Sequence, residues 1–385
     1  MITEIIVSNY RSIGENVRLK LGKMTALVGP NGSGKSNVAD VFRFVADALS
    51  LGLEASIQKR HGIDAVRRWS SGRPFNLGIK ISLKEPSFTG SYEFSLAGSS
   101  AEDYSVKSEA ATVLSLKDGS MEKFRISEGK WEYAPSDLKP KITRQSLAMT
   151  LLSGDERFAP LAGALKNVSV YAVFPDALRD PQKPDTIRPM RQHGENWATV
   201  LQTLKSENIR ADLIAALSKL TGDIDDYRVR QLGGYLNAEF RHKTKKIGSK
   251  DRQKWFEGAQ ESDGTLRVAG IITALLQEPP LTLIGIEEPE LTVHVGAIPL
   301  LFDYLKQAAK RGQVLVTTHS VELLEKLDVD DIRVVNRRDG ITTVAAVRDD
   351  QRKAVKDRLL SVGDIYAMEQ GLQQQELDID NEGDK

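Results

Sequence analysis

Residues 27–36 read Leu27-Val28-Gly29-Pro30-Asn31-Gly32-Ser33-Gly34-Lys35-Ser36. An apolar run from Met24 to Val28 leads into them, and Val38, Val41, Phe42, Val45 and Leu49 follow at helical spacing. A strand, a glycine-rich turn and a helix in that order are the setting in which G-x-x-x-x-G-K-S forms a phosphate-binding loop. Glycines let successive backbone N–H groups face inward around α/β-phosphates, and the helix start adds its dipole. The expected contacts are therefore the backbone from Gly29 through Pro30, Asn31, Gly32, Ser33 and Gly34, with Asn37 following in the first helical turn. Lys35 is expected to reach the β/γ-phosphates, and Ser36 to ligate Mg²⁺.

With 385 residues, the chain is long enough for a large α/β core carrying a sizeable insertion. It has no cysteine, which excludes disulfides, thiolate chemistry and cysteine-based zinc sites. Its longest apolar runs, such as Leu213–Leu217 and Leu281–Ile286, fall far short of the ~20 residues of a membrane span, so no membrane partner is expected. Glu4 lies in the opening strand and no signal-peptide pattern follows; the expected location is cytoplasmic. A net charge of zero gives no whole-molecule argument for nucleic acid.

Residues 1–28 predict three strands. Residues 57–69 are mixed and basic, and either line the γ-phosphate side of the site or form a solvated helix face, the latter being expected. From Phe75 to Tyr133, short alternating runs separated by Gly, Ser, Pro and Asp predict an antiparallel meander. Helical spacing returns over 142–165 and 195–220, while Pro175, Pro181, Pro184 and Pro189 predict a long surface connection between those runs. Ile224 to Trp255 reads as a hairpin pair, and from Arg228 to Lys254 it carries nine Lys/Arg against Glu239 and Asp251. Such a segment suits phosphates of nucleic acid, an acidic partner, or simple protection of a strand edge.

Three further segments follow in fixed order. Ser262-Asp263-Gly264-Thr265 opens an apolar helix, which marks an N-cap and a possible second anion site. The buried strand Leu281–Ile286 ends in Glu287-Glu288-Pro289-Glu290, the arrangement in which one acid holds Mg²⁺ and the next activates water; Glu287 takes the metal role and Glu288 the base role. Val314–Thr318 is a strand with His319 at its carboxyl end, where ligands of open parallel sheets sit, although a lone histidine there is commonly structural.

With these motifs in view, the chain resembles ABC-type ATPases of the SMC and RecF-like group, in particular small bacterial AAA-family ATPases without a coiled coil. The resemblance spans nearly the whole length and includes Ser8-Asn9-Tyr10-Arg11-Ser12, similar to that group's opening, where the arginine approaches bound nucleotide. It implies an α/β P-loop NTPase fold of ABC/SMC-head type: a mixed central sheet, with an antiparallel β lobe and a helical lobe inserted between Walker A and signature. The implied parts are a core half over 1–74, a β lobe over 75–140, a helical lobe over 141–225, a second core half over 226–368 and a disordered acidic tail over 369–385.

The resemblance also implies ATP and Mg²⁺ as cofactors, with Lys35, Glu288 and His319 catalytic and Ser36 and Glu287 on the metal. It implies a homodimer joined through ATP, in which the Ser262–Thr265 signature of one copy closes on the nucleotide of the other. A separately encoded nuclease or toxin is expected as effector in an anti-phage module, and assembly can extend beyond the dimer. The alternatives are a RecF-like repair ATPase using Arg228–Lys254 on DNA, and a non-catalytic nucleotide-gated scaffold. The sequence departs from its relatives where His294 is followed by Val295 instead of proline, and no long heptad run is present.

Overall fold

The computed structural model describes residues 1–100, 102–135, 137–186, 188–204, 207–243, 254–368 and 371–375. The chain divides into two compact units, residues 1–168 with 327–385, and residues 169–326.

In the first unit, β1 (Ile2–Ser8), β2 (Val17–Lys20) and β3 (Met24–Val28) lead to α1 (Lys35–Ser50), followed by α2 (Leu53–Gln58) and α3 (Ile63–Val66). Every residue of β3 is buried, as its unbroken apolar run requires. The meander then follows as β4 (Leu77–Lys84), β5 (Phe88–Ala97), β6 (Ser105–Ser115), β7 (Met121–Ser127) and β8 (Lys130–Tyr133). It extends a sheet already begun by the first two strands, giving the order β2-β1-β4-β5-β6-β7-β8. Ile79, Ile81, Leu83, Tyr92, Phe94 and Leu96 alternate onto its buried face, where α4 (Ala148–Leu152) and α5 (Ala159–Lys166) belong to the same unit.

The second unit takes up β9 (Val168–Tyr171), α6 (Pro175–Arg179), α7 (Trp197–Thr203), α8 (Glu207–Thr221), β10 (Ile224–Leu232), β11 (Tyr235–His242) and β12 (Lys254–Glu257). It continues with α9 (Asp263–Leu276), β13 (Leu283–Glu287), α10 (Ile298–Arg311), β14 (Gln313–Thr318) and α11 (Val321–Leu324). Helix α9 is buried on every side from Thr265 to Leu276, so it is the centre of this unit. Gly270 on α9 allows a close approach, since a Cβ there would lie 2.8 Å from Val173. Strands β13 and β14 pair in parallel, with Glu287 opposite Thr317. The proline-rich segment, expected as a surface connection, is instead anchored. Pro175 opens α6, and the buried Gln182 exchanges backbone hydrogen bonds with Leu236 at 2.7 and 3.0 Å.

The chain then returns to the first unit with β15 (Ile332–Arg338), β16 (Ile341–Ala346), α12 (Asp349–Lys356) and α13 (Val362–Ala367). Strand β15 pairs in parallel with β3 and antiparallel with β16. Residues 371–375, expected within a disordered tail, are ordered: Gln374 Nε2 donates to the carbonyls of Val334 and Thr343, both at 2.9 Å. The rest of that tail lies outside the described residues. Among the described residues, no helix is long and apolar enough to cross a membrane.

Glu109 on β6 is 1% exposed and caps the start of α4, accepting from the N–H groups of Ala148 (2.6 Å) and Met149 (2.9 Å) and from the Tyr92 hydroxyl (2.9 Å). Burial pushes its carboxyl up from 4.5 to about 7, against these three donors. Because the folded value lies above the unfolded one, the proton favours the folded state; that stability is complete below about pH 4.5 and is lost as pH rises through 7. Chemical denaturation should therefore show the native chain losing roughly 3 kcal/mol between pH 4 and 8 relative to Glu109→Gln. Parallel pH profiles for the two proteins would contradict this.

Candidate functional site

The phosphate loop is held open by contacts from its own unit. Gly34 precedes α1 in a left-handed conformation (φ 103°), and a Cβ there would lie 2.3 Å from the Thr342 hydroxyl. At Gly29, an added Cβ would meet the Val335 carbonyl oxygen at 2.1 Å. The Thr342 hydroxyl donates to the Ser33 carbonyl (2.8 Å) and lies 2.8 Å from the Ser12 hydroxyl, which also accepts from Asn37 Nδ2 (2.7 Å). Strand β16 and the turn after β1 thus fix the loop's curvature from behind.

Within the loop, Lys35 Nζ donates to the carbonyls of Gly29 (2.8 Å) and Pro30 (3.1 Å), folding its ammonium over the turn. The Ser33 hydroxyl is buried with no hydrogen-bond partner among the described residues, while Asn31, Gly32 and Ser36 are exposed. An orphaned hydroxyl, a lysine facing the turn and a helix start with no acidic first-turn residue fit a polyphosphate. Beside them, Arg11 lies 3.1 Å from Asp40 on α1, with the Tyr10 hydroxyl donating to the same carboxylate at 2.6 Å. Burial alone would raise the Asp40 carboxyl, but Arg43, Arg60 and Arg11 outweigh it and hold the group well below the usual carboxylate range.

The second unit gathers Glu287, Glu288, Glu290, Arg267 and His319. Glu288 sits at φ 44°, a left-handed conformation that costs a non-glycine residue about 1–2 kcal/mol. It is pinned there: its N–H donates to the carbonyl (2.9 Å) and hydroxyl (3.1 Å) of Thr317, and its carbonyl accepts from Arg267 Nη2 (2.9 Å). Arg267 is 3% exposed and also donates to the Val173 carbonyl at 2.6 Å. Burial lowers its pKa, with Glu290 and Glu288 opposing the shift.

Glu290 accepts from the Thr318 hydroxyl (2.6 Å) and the His319 N–H (3.2 Å), so it fixes the backbone that carries the histidine. His319 Nδ1 lies 3.6 Å from Glu288 and 3.8 Å from Glu290, too far for a hydrogen bond, and has no such partner among the described residues. Thr342, Arg267 and Glu290 lie outside the expected site. Arg267 closes the signature stretch Ser262–Arg267 and Glu290 closes the acidic stretch Glu287–Glu290, so the motifs contain both without assigning them a role, whereas nothing in the sequence singles out Thr342.

The signature residues open α9. Ser262 is exposed and caps the helix by accepting from the Thr265 N–H at 3.1 Å, while Asp263 pairs with Arg179. A Cβ at Gly264 would lie 2.9 Å from the Thr292 carbonyl, so the helix start sits hard against the loop that follows Glu290. Just before the cap, Glu261 accepts from His242 Nε2 (2.7 Å), whose Nδ1 faces Asp223 at 2.9 Å. Burial disfavours charge on His242, but the two carboxylates outweigh it and raise its pKa.

The basic hairpin is largely neutralised where it is described. Arg228 and Arg230 pair with Glu239, and Arg241 with Asp225 and Asp226. Lys245, Lys246, Lys250 and Arg252 lie outside the described residues.

Mg²⁺ requires oxygen ligands. Among the described residues no group of three or more His, Cys, Asp or Glu side chains could hold a metal ion. The Ser36 hydroxyl of the first unit is exposed and the Glu287 carboxylate of the second is half-buried; each is separately a hard oxygen donor of the type Mg²⁺ accepts.

A family described as "AAA domain, putative AbiEii toxin, Type IV TA system" matches residues 24–325. The chain belongs to this family. Two solved structures share its fold. A crystal structure of the SmcHead bound to the C-winged helix domain of ScpA is 16% identical, covering 92% of this chain and 99% of that one with a TM-score of 0.52. An Smc head domain with an extended coiled coil, bound to the C-terminal domain of ScpA derived from Pyrococcus furiosus, is also 16% identical, covering 93% and 99% with a TM-score of 0.51. A stretch of 45 residues is 47% identical to the chromosome partition protein Smc of Desulfitobacterium hafniense (strain Y51), amounting to 11% of this chain and 4% of that protein. The family member described here therefore has the P-loop ATPase fold of SMC-type heads, as its motifs imply.

Replacing Arg267 by methionine keeps most of the side-chain volume and leaves the carbonyls of Val173 and Glu288 without their donor. Denaturant unfolding should show a loss of about 3 kcal/mol or more, since bonds to a charged donor contribute ~1.5–3 kcal/mol each. A variant within about 1 kcal/mol of the native chain would show that Arg267 does not hold the Glu288 turn.

Proposed function

We propose that this chain is an Mg²⁺-dependent ATPase that works as a head-to-tail homodimer and gates a separately encoded effector. The observation that carries the reading is Glu288, a carboxylate at the end of a buried parallel strand, held in a left-handed turn by Arg267 and Thr317. Strain retained at such a point marks a side chain whose direction matters.

In this reading, the loop amides from Gly29 to Gly34 bind the phosphates, and Lys35 exchanges its two carbonyl contacts for the β/γ-phosphate oxygens. Ser36 and Glu287 would supply oxygen ligands to the metal, which would supply charge neutralisation to the phosphates. Glu288 accepts a proton from the attacking water, and the departing bridge oxygen carries its electron pair to ADP. His319, mounted on the backbone that Glu290 fixes, would face the γ-phosphate. Arg11 lies at the flank of the same loop, beside Asn37.

Ser262 and Asp263 are exposed at the start of a 14-residue helix, which suits them to cover the triphosphate of a second copy. Hydrolysis would then separate the copies and release the effector. Membership of a family described as "AAA domain, putative AbiEii toxin, Type IV TA system" supports a role in defence alongside a separately encoded partner. A RecF-like role through the hairpin is less well supported, because Arg228, Arg230 and Arg241 already face carboxylates.

Purified Glu288→Gln should bind a fluorescent ATP analogue with native affinity but turn over ATP about a hundredfold more slowly or worse. Native turnover by this variant would remove Glu288 as the base. Lys35→Ala should bind the analogue at least tenfold more weakly; unchanged affinity would contradict the phosphate-loop assignment.

A further inference from the structure

We infer that the first unit carries a binding groove for single-stranded nucleic acid, distinct from the basic hairpin and running up to the flank of the phosphate loop, where Arg11 and Asn37 line its end. A cavity of about 1040 Å³ is lined by Asn9, Arg73, Phe75, Lys107, Lys130 and Arg144. Through Arg73 and Phe75 it joins a second cleft of about 780 Å³, which carries Arg67, Arg68 and Trp69 and ends at Arg11 and Asn37 beside the phosphate loop. The carboxylates of Glu15 and Glu128 in the larger cavity and Asp339 in the smaller are outnumbered by these cations.

Three properties point to the class of ligand. First, among the described residues Arg73, Lys107, Lys130 and Arg144 make no ion pair and are exposed, unlike the hairpin arginines, so their charge is available to a polyanion. Second, aromatic rings are interleaved with them. Trp69 is 81% exposed, and Phe75 is 38% exposed with the Arg68 guanidinium 4.1 Å above its ring. An indole left in water at the mouth of a cationic groove is a stacking platform, and base stacking with phosphate neutralisation is how single strands are held without sequence preference. Third, the Asn9 side chain is 4% exposed. Its Nδ2 is used by the Asn76 carbonyl, while its Oδ1 is buried without a donor among the described residues. A nucleobase N–H, such as the N3 imino group of thymine or uracil, is a donor of the kind that oxygen lacks.

A duplex keeps its bases stacked internally and offers Trp69 no free face, so the groove selects single strands. An acidic peptide would use the cations but not the rings. The inference is independent of ATP hydrolysis.

The test is fluorescence anisotropy of the full-length chain with labelled oligo-dT and oligo-U of about 20 nucleotides, long enough for any site of this kind. Parallel titrations use a duplex of equal length and poly-glutamate. Binding of either single strand is expected to weaken with salt, by a log–log slope of about −0.7 per phosphate contact. The triple variant Lys107→Glu/Lys130→Glu/Arg144→Glu is expected to bind at least tenfold more weakly, and Trp69→Ala at least fivefold more weakly. Both should keep native melting temperature and native affinity for the ATP analogue, which separates failure of the groove from failure of the nucleotide site. Three results would overturn the inference: no binding of either strand at low salt, equal or tighter binding of the duplex or poly-glutamate, or loss of binding on Arg230→Glu/Lys243→Glu while the groove variants bind normally.

Discussion

The hydroxyl of Thr342 donating to the carbonyl of Ser33 is the contact on which the phosphate loop depends. A turn that points successive N–H groups inward must expose its carbonyls on the other side, and those need donors. Here the donor arrives from a strand more than three hundred residues later, while the Val335 carbonyl presses so closely on Gly29 that no side chain fits. The glycines are therefore required twice, for left-handed backbone at Gly34 and for room against β15 and β16. The loop is not a free local motif; its shape is imposed by the last strands of the same unit.

A comparable dependence organises the second unit. Arg267, buried within α9, satisfies the carbonyl of the strained Glu288, and Thr317 satisfies its N–H. Glu290 then takes the hydroxyl of Thr318 and the N–H of His319. The exposed Ser262 cap stands five residues before Arg267 on the same helix, with Gly264 against the Thr292 carbonyl. Signature helix, acidic turn and histidine are thus parts of one bonded assembly within this unit.

The parts legible in the sequence were those whose pattern is local. Glycine spacing exposed the phosphate loop, the apolar run exposed β3, and two-residue alternation exposed the meander. What escaped was pairing between distant residues. Thr342 looks like any strand threonine, and Glu290 like a surface acid beside Pro289. The hairpin cations gave a clear charge run, but only the register that sets Arg228 against Glu239, and Asp226 against Arg241, shows how much of it is cancelled. Conversely, Trp69 and Arg73 read as part of a solvated basic stretch and loop, and only the fold brings them to one groove with Lys107 and Arg144. Gln182 and Gln374 escaped for the same reason, since a polar residue in a proline-rich or glutamine-rich stretch gives no hint that its amide will be tied to distant backbone carbonyls.

The proposed ATPase rests on one triphosphate being gripped by the loop of one copy and covered by the Ser262 helix start of another. Mixing two inactive full-length variants tests this directly: Lys35→Ala, with its signature intact, and Ser262→Arg, with its phosphate loop intact. If the triphosphate is shared between copies, the mixture contains pairs with one complete site and ATP hydrolysis reappears. If each copy completes its own site, every chain in the mixture carries a defect and activity stays at the level of the separate variants, which would contradict the account.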